Sequence, residues 1–257
     1  MTEYVIDHGW GAEAQRLALL GAWLDPWTVR HLEALDVGDG WQCLEAGAGS
    51  GSVARWLGQR VGPSGHVVAA DIDTSFLERV NEPNIEIRQH DLRCEDFSPA
   101  SFDLVHTRFV LEHVPDRLSV MKRMVDWLKP GGWVLFEEPD CYAALASPNG
   151  VWARHMEAYR ACCACVDLEC GRALAAEVRG LGLVDLGSEV DVTVVRGGSG
   201  LAIWYRLTAT ALRSLLVGTK LISDEELDGL CRSLDDPEFL EPGFTVVAVW
   251  ARKRLAE

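Results

Sequence analysis

Three glycines alternate with small residues in Glu45-Ala46-Gly47-Ala48-Gly49-Ser50-Gly51, and a second acid, Asp71, follows the next apolar run. Glycine directly after a buried strand lets the chain turn sharply, and lets a ligand approach the backbone with no Cβ in the way. The helix behind such a turn presents unpaired N–H groups and the positive end of its dipole to a polar or anionic ligand. A dinucleotide fingerprint needs Gly-x-Gly-x-x-Gly. Here the third glycine is Gly51 and position 52 is Ser, which argues against a pyrophosphate cofactor.

These residues need elements to position them. The apolar run Trp41–Gly47 reads as a strand breaking into glycines, and residues 52–61 follow with helical spacing at Val53, Trp56, Leu57 and Val61. Residues 65–73 read as the next strand, 74–83 as a short helix closed by Pro83, and 84–91 as an alternating strand. A fourth strand and turn fill 101–117. An amphipathic helix from Leu118 to Leu128 ends at Lys-Pro-Gly-Gly, and a fifth strand follows. Five strand–helix units over about 41–140 predict a parallel sheet with helices on both faces. Beyond them, Trp152, Met156, Tyr159, Cys163, Val166 and Cys170 define one helix face. A further helix, a strand over 185–196, helices over 199–236 and a closing strand complete the chain, with no linker that divides it into independent domains.

At this level of detail the sequence resembles the class I S-adenosylmethionine-dependent methyltransferases. The glycine loop looks like their first motif and Val67–Asp73 like their second strand. The run Arg88–Leu92 resembles the third-strand turn, and residues 102–116 and 128–138 the fourth strand with its turn and the fifth strand. The resemblance covers about 40–140 in motif detail and the rest only in layout. It implies an α/β, Rossmann-like, doubly wound sheet of seven strands, mostly parallel with the last antiparallel, and helical cap insertions. Residues 1–257 then form one methyltransferase domain: a helical segment at 1–37, a cofactor core at 40–140, and a cap over the substrate site at 141–170 and 199–236.

The resemblance also implies roles. Asp71 holds the ribose hydroxyls, Asp91 meets the adenine amine, and the backbone N–H of Leu92 meets the ring. Glu45 acts by electrostatics or through water, and Arg108 lies near the methionine part, often through backbone. Gly47, Gly49, Gly51, Ile72 and Tyr4 complete the cofactor set. His113 is the catalytic candidate, facing cofactor or substrate, with a histidine satisfied by its own turn as the other reading. A sulfonium already activates the methyl group, so the protein's tasks are positioning, exclusion of water and removal of a proton where the acceptor needs it. His8, Tyr142, His155 and Tyr205 are further candidate proton acceptors on the cap, with nothing in the sequence to choose among them. Trp10, Trp152, Tyr159, Trp204 and Tyr205 suit either a flat apolar acceptor or core packing.

Composition narrows the partners. The chain of 257 residues is 48% hydrophobic and 25% charged, ordinary for a globular protein. It carries 24 basic against 39 acidic residues, a net charge of −15, which disfavours a nucleic-acid partner. The apolar run Leu17–Leu24 is too short for a membrane span and is bracketed by Arg16 and Asp25. Eight cysteines without a secretory signal suggest reduced thiols and a cytoplasmic location. Cys162-x-x-Cys165, near Cys163 and Cys170, lacks a second ligand pair at zinc spacing, so no metal site is expected. The expected partner is a small, aromatic or polyketide-like methyl acceptor, with a homodimer as one assembly. The competing readings are a protein or RNA methyltransferase and a cofactor-binding protein of other chemistry.

Overall fold

The computed structural model describes residues 11–162 and 166–255. Tyr4, His8, Trp10, Cys163 and Cys165 lie outside the described residues. The elements run α1 (Glu13–Ala34), β1 (Gln42–Ala46), α2 (Ser52–Val61), β2 (His66–Asp71), β3 (Ile85–Gln89), β4 (Phe102–Arg108), α3 (Arg117–Trp127) and β5 (Leu128–Asp140). They continue with α4 (Tyr142–Leu145), α5 (Gly150–Cys162), α6 (Cys170–Arg179), β6 (Val184–Arg196), α7 (Gly200–Ala211), α8 (Arg213–Gly218), α9 (Asp224–Ser233) and β7 (Leu240–Arg252).

The sheet has seven strands in the order β3-β2-β1-β4-β5-β7-β6. Strands β1 to β5 pair in parallel. The reversal comes with β7. Gly131 N–H donates to Lys253 O at 3.0 Å and Lys253 N–H to Gly132 O at 2.8 Å, so two residues of β5 oppose one beyond β7 in an antiparallel bulge with Gly131 at its left-handed position. Strand β6 is also antiparallel to β7: Gly197, just past β6, donates to Phe239, just ahead of β7, at 2.9 Å, while Gly187 near the start of β6 lies against Trp250 near the end of β7.

Strand parity builds the core. Leu44, Ala46, Val68, Ala70, Val105, Val134 and Phe136 turn to one face with α3 and α6, whose Met121, Met124, Leu174 and Val178 pack there. Cys43, Val67, Ala69, Leu104 and Leu135 turn to the other with Leu32 of α1, Leu35 just after it, and Val53, Leu57 and Val61 of α2. The chain groups into two compact units, Met1–Trp23 with Pro139–Glu169 and Val190–Val246, and Leu24–Glu138 with Cys170–Glu189 and Val247–Glu257. Both faces just described belong to the second unit. The first unit has a core of its own, with Trp152, Met156, Trp204, Tyr205, Leu216, Leu227 and Phe244 buried together.

Four local expectations are corrected. The stretch after β2 forms only a 3₁₀ turn, Ser75–Leu77, because Asp73 caps Ser75 N–H at 2.9 Å and the run meets Asn81 and Pro83 before an α-helix can propagate. No helix joins β3 to β4, where residues 90–101 lack an apolar period. The Pro-Gly-Gly segment is an irregularity inside β5, with a register shift between Phe102 and Leu104 on β4 and with Gly131 at φ +83°, rather than a turn ahead of the strand. The single face expected from Trp152 to Cys170 stops with α5 at Cys162. Asp167 there takes Glu169 N–H at 3.1 Å in a local turn, Leu168 O accepts from Cys141 N–H at 2.9 Å, and Cys170 opens a different helix.

Candidate functional site

Strand β1 delivers the glycine loop at the carboxyl end of the parallel strands. Gly47, Gly49 and Gly51 have φ of +80°, +52° and +76°, the left-handed region that disfavours a side chain. At Gly47 the reason is also steric, since an added Cβ would lie 2.2 Å from Val110 Cγ2. At Gly49 the corresponding position is open, with no atom within 4 Å. Gly51 supplies no side-chain cap to the N-terminus of α2, so that end keeps its backbone donors for another acceptor.

Asp71 is tied to this loop. Its Oδ2 accepts Gly49 N–H at 2.8 Å and its Oδ1 accepts Asp73 N–H at 3.1 Å. A carboxylate has about four lone-pair sites, so these bonds fix its plane without exhausting its acceptor capacity. Ile72 beside it is 51% exposed. On the next turn Asp91 is gripped by its neighbour Arg93, Nη2 to Oδ2 at 2.8 Å, and these hydrogen bonds hold its carboxyl down at about 2. The side chain of Leu92 is buried and its carbonyl accepts from Arg123, while its N–H has no hydrogen-bond partner among the described residues.

Arg108 and His113 flank the turn after β4. The guanidinium of Arg108 reaches α1, to Thr28 Oγ1 at 2.8 Å and Asp25 Oδ1 at 2.9 Å. His113 sits in the 3₁₀ turn Leu111–His113, donates its N–H to Val110 O at 2.9 Å, and has Nε2 3.4 Å from Glu112 Oε1. Glu138, fully buried, accepts Val110 N–H at 3.2 Å, Leu111 N–H at 2.9 Å and Glu112 N–H at 3.1 Å, so the end of β5 fastens this turn. Burial pushes the Glu138 carboxyl up to about 7 against those three donors.

Sequence reasoning missed the largest polar feature. Glu45 of β1, His106 of β4 and Glu137 of β5 turn to the same face as Cys43, Leu104 and Leu135, in an otherwise apolar layer. His106 Nδ1 lies 2.6 Å from Glu45 Oε2, and its Nε2 lies 3.4 Å from Glu137 Oε2. Glu137 also accepts Thr28 Oγ1–H at 2.5 Å and faces His31 Nδ1 at 2.9 Å. His31 Nε2 continues to Glu189 at 3.3 Å, which Arg30 holds at 2.7 and 2.8 Å. Burial lowers the basicity of His106, but the two flanking carboxylates outweigh it and hold the imidazole up at about 9. Burial raises Glu137 too, yet hydrogen bonds from His106 and His31 bring it down to about 2.

This stack predicts a stability window. Glu137 begins from 4.5, so its contribution is present above that pH and lost as pH falls through about 2; His106 begins from 6.5, so its contribution is complete below that pH and lost as pH rises through about 9. Circular-dichroism melting across that range should show an alkaline decline in wild type that His106→Gln lacks. An identical decline in both would contradict it.

The cap candidates in the first unit lie mostly in its core. Tyr205 is fully buried, and its hydroxyl oxygen accepts Phe244 N–H at 2.9 Å. Trp152 donates its indole N–H to Pro242 O at 2.8 Å, and rings of Trp152 and Tyr205 meet at 4.9 Å. His155 is buried and its basicity falls to about 4 through burial alone. Trp204 is buried, Tyr159 is packed half-buried against the same core, and Tyr142 is 69% exposed. Cys162 contacts Tyr159 O at 3.4 Å, and among the described residues no group of three or more His, Cys, Asp or Glu is placed to hold a metal. Among those residues no helix is long and apolar enough to cross a membrane.

A family model described as a methyltransferase domain matches residues 22–186, which takes in the loop, the carboxylates and the buried stack. The chain belongs to this methyltransferase family. Over 113 residues it is 38% identical to Methyltransferase str2 of Strobilurus tenacellus, covering 43% of this chain and 40% of that one. Over 118 residues it is 31% identical to the demethylmenaquinone methyltransferase of Lactococcus lactis, covering 43% and 47%. These matches span less than half the length of each relative. Among solved structures, phosphoethanolamine N-methyltransferase 2 of Haemonchus contortus, in complex with S-adenosylhomocysteine, shares the fold with a TM-score of 0.56 at 20% identity, over 84% of this chain and 49% of that one.

Proposed function

We propose that the chain transfers the methyl group of S-adenosylmethionine to oxygen, nitrogen or carbon of a small, aromatic or polyketide-like metabolite. One observation carries the reading: the left-handed glycine loop, open at Gly49, shares a backbone hydrogen bond there with the carboxylate at the end of β2. That pairing fits a nucleoside whose sugar meets Asp71 and whose amino-acid tail crosses Gly49 toward the uncapped end of α2. Ile72 offers an exposed apolar face, Leu92 an unpaired N–H and Asp91 an acceptor for the base. Tyr4 completes the proposed set, and Glu45 and Arg108 stand toward the methionine end.

When bound, the cofactor supplies a methyl group already activated by its sulfonium. This chain's work is then alignment of the acceptor and control of its proton. His113 is assigned that proton-accepting role, and the segments 141–170 and 199–236 the recognition of the acceptor. A small acceptor is supported by the name of the Lactococcus relative and by the net charge of −15, which opposes a polyanion.

Replacing Asp71 by alanine should weaken S-adenosylhomocysteine binding by about 1–3 kcal/mol, the scale of hydrogen bonds to a charged group. Calorimetry checks this, and unchanged affinity would remove the ribose assignment. The function itself is tested by incubating the protein with methyl-labelled S-adenosylmethionine and phenols, quinols, amines, RNA or protein. Label should enter a small phenol, quinol or amine; incorporation confined to RNA or protein would overturn the reading.

A further inference from the structure

We propose that His106, which no ligand touches in the reading above, is the positioning residue for cofactor binding and acts through Glu45. The inference rests on that reading and deepens it. Glu45 stands two residues before Gly47, and its side chain is 4% exposed. One of its oxygens meets His106 Nδ1 at 2.6 Å, the shorter of the two contacts that the ring makes with carboxylates.

Both ring nitrogens of His106 face carboxylate oxygens. A neutral imidazole would set a lone pair against one of them, so the geometry itself calls for a donor at each nitrogen. The elevated basicity of His106 agrees. On its other side the ring's Nε2 faces Glu137, a carboxylate that Thr28 and His31 hold in place. The imidazolium is therefore fixed, and Glu45 is oriented by it.

The stack also reaches the far end of the loop. From Glu137 the hydrogen bonds pass through Thr28 to Arg108, from Arg108 to Asp25 at 2.9 Å, and from Asp25 to Ser52 Oγ at 3.0 Å. Ser52 is the first residue of α2, directly after Gly51. The side-chain-poor loop 46–51 is thus pinned at both ends by one polar circuit through β4, β5 and α1. Around His106 the ionisable groups are Glu45 and Glu137 and, further along the same hydrogen bonds, His31, Arg108, Asp25, Glu189 and Arg30. The imidazolium offsets one of its two flanking carboxylates.

The test is a double-mutant cycle with His106→Gln and Glu45→Gln, titrated calorimetrically with S-adenosylhomocysteine. Each single variant should bind about tenfold or more weakly, and the double variant no worse than the weaker single. Wild-type affinity in His106→Gln, or losses that multiply in the double variant, would overturn the proposal. Nitrogen NMR of wild type carrying ¹⁵N-histidine keeps it testable where a variant fails to fold: both His106 ring nitrogens should be protonated at neutral pH, and a neutral ring overturns it. Absence of binding by wild type would instead strike the methyltransferase reading, and this inference with it.

Discussion

Glu137→Ala should cost the fold about 3–5 kcal/mol, the scale for removing one member of a buried ionic network. The carboxylate is fully buried and serves three groups from two elements: Thr28 and His31 on α1 and His106 on β4. Its loss strands the Thr28 hydroxyl and leaves a buried imidazole with Glu45 as its one remaining carboxylate. Truncation also empties volume in a close-packed layer beside Leu104 and Leu135. Glu137→Gln keeps that volume and one acceptor oxygen, so it should lose less. Urea unfolding of the three proteins checks the order. A loss under about 1 kcal/mol for the alanine variant would show that the stack is not integral to stability.

Gly47→Ala should be the most damaging single change at the loop. The left-handed backbone costs about 1–2 kcal/mol for a residue with a Cβ. The new methyl would also lie 2.2 Å from Val110 Cγ2, and overpacking of that kind adds about 1–3 kcal/mol. Either the loop or the turn after β4 must move, and Glu138 fastens that turn by three backbone hydrogen bonds. Adding Val110→Ala should restore part of the stability by removing the obstructing methyl. Gly49→Ala separates the two effects: its Cβ meets nothing within 4 Å, so the fold should lose only the backbone term while cofactor binding suffers. Thermal melts paired with S-adenosylhomocysteine titration measure both. Gly47→Ala and Gly49→Ala proteins of equal stability would contradict this assignment.

How far the sequence reveals this architecture depends on the kind of signal. Alternation in β3 and apolar runs in β1, β2 and β4 place the parallel strands, and glycine spacing places the loop, because each follows from local geometry. The weaker segments were those where a tertiary or side-chain contact decides the outcome. The stretch after β2 carries Phe76, Leu77 and Val80 at helix-like spacing, yet an Asp73 cap and Pro83 leave it a single 3₁₀ turn. The apolar spacing of the cysteine-rich face runs on to residue 170, although the turn at Asp167 breaks it.

The buried stack was legible in principle. Glu45, His106 and Glu137 are polar residues inside apolar strands, each at the parity of a buried neighbour two positions before it: Cys43, Leu104 and Leu135. What the sequence does not supply is the register that sets Glu45 directly opposite His106, or the return of α1 to the same face. Asp91 shows the reverse case. Its position was readable, but the grip of Arg93 two residues on depends on a side-chain conformation.

The most direct measurement is a calorimetric titration of wild type with S-adenosylhomocysteine, run beside one with NAD. Saturable heat at one site per chain with the first, and none with the second, is the expected result. No heat with S-adenosylhomocysteine, or equal binding of NAD, would contradict the assignment of the glycine loop and Asp71 to a sulfonium nucleoside.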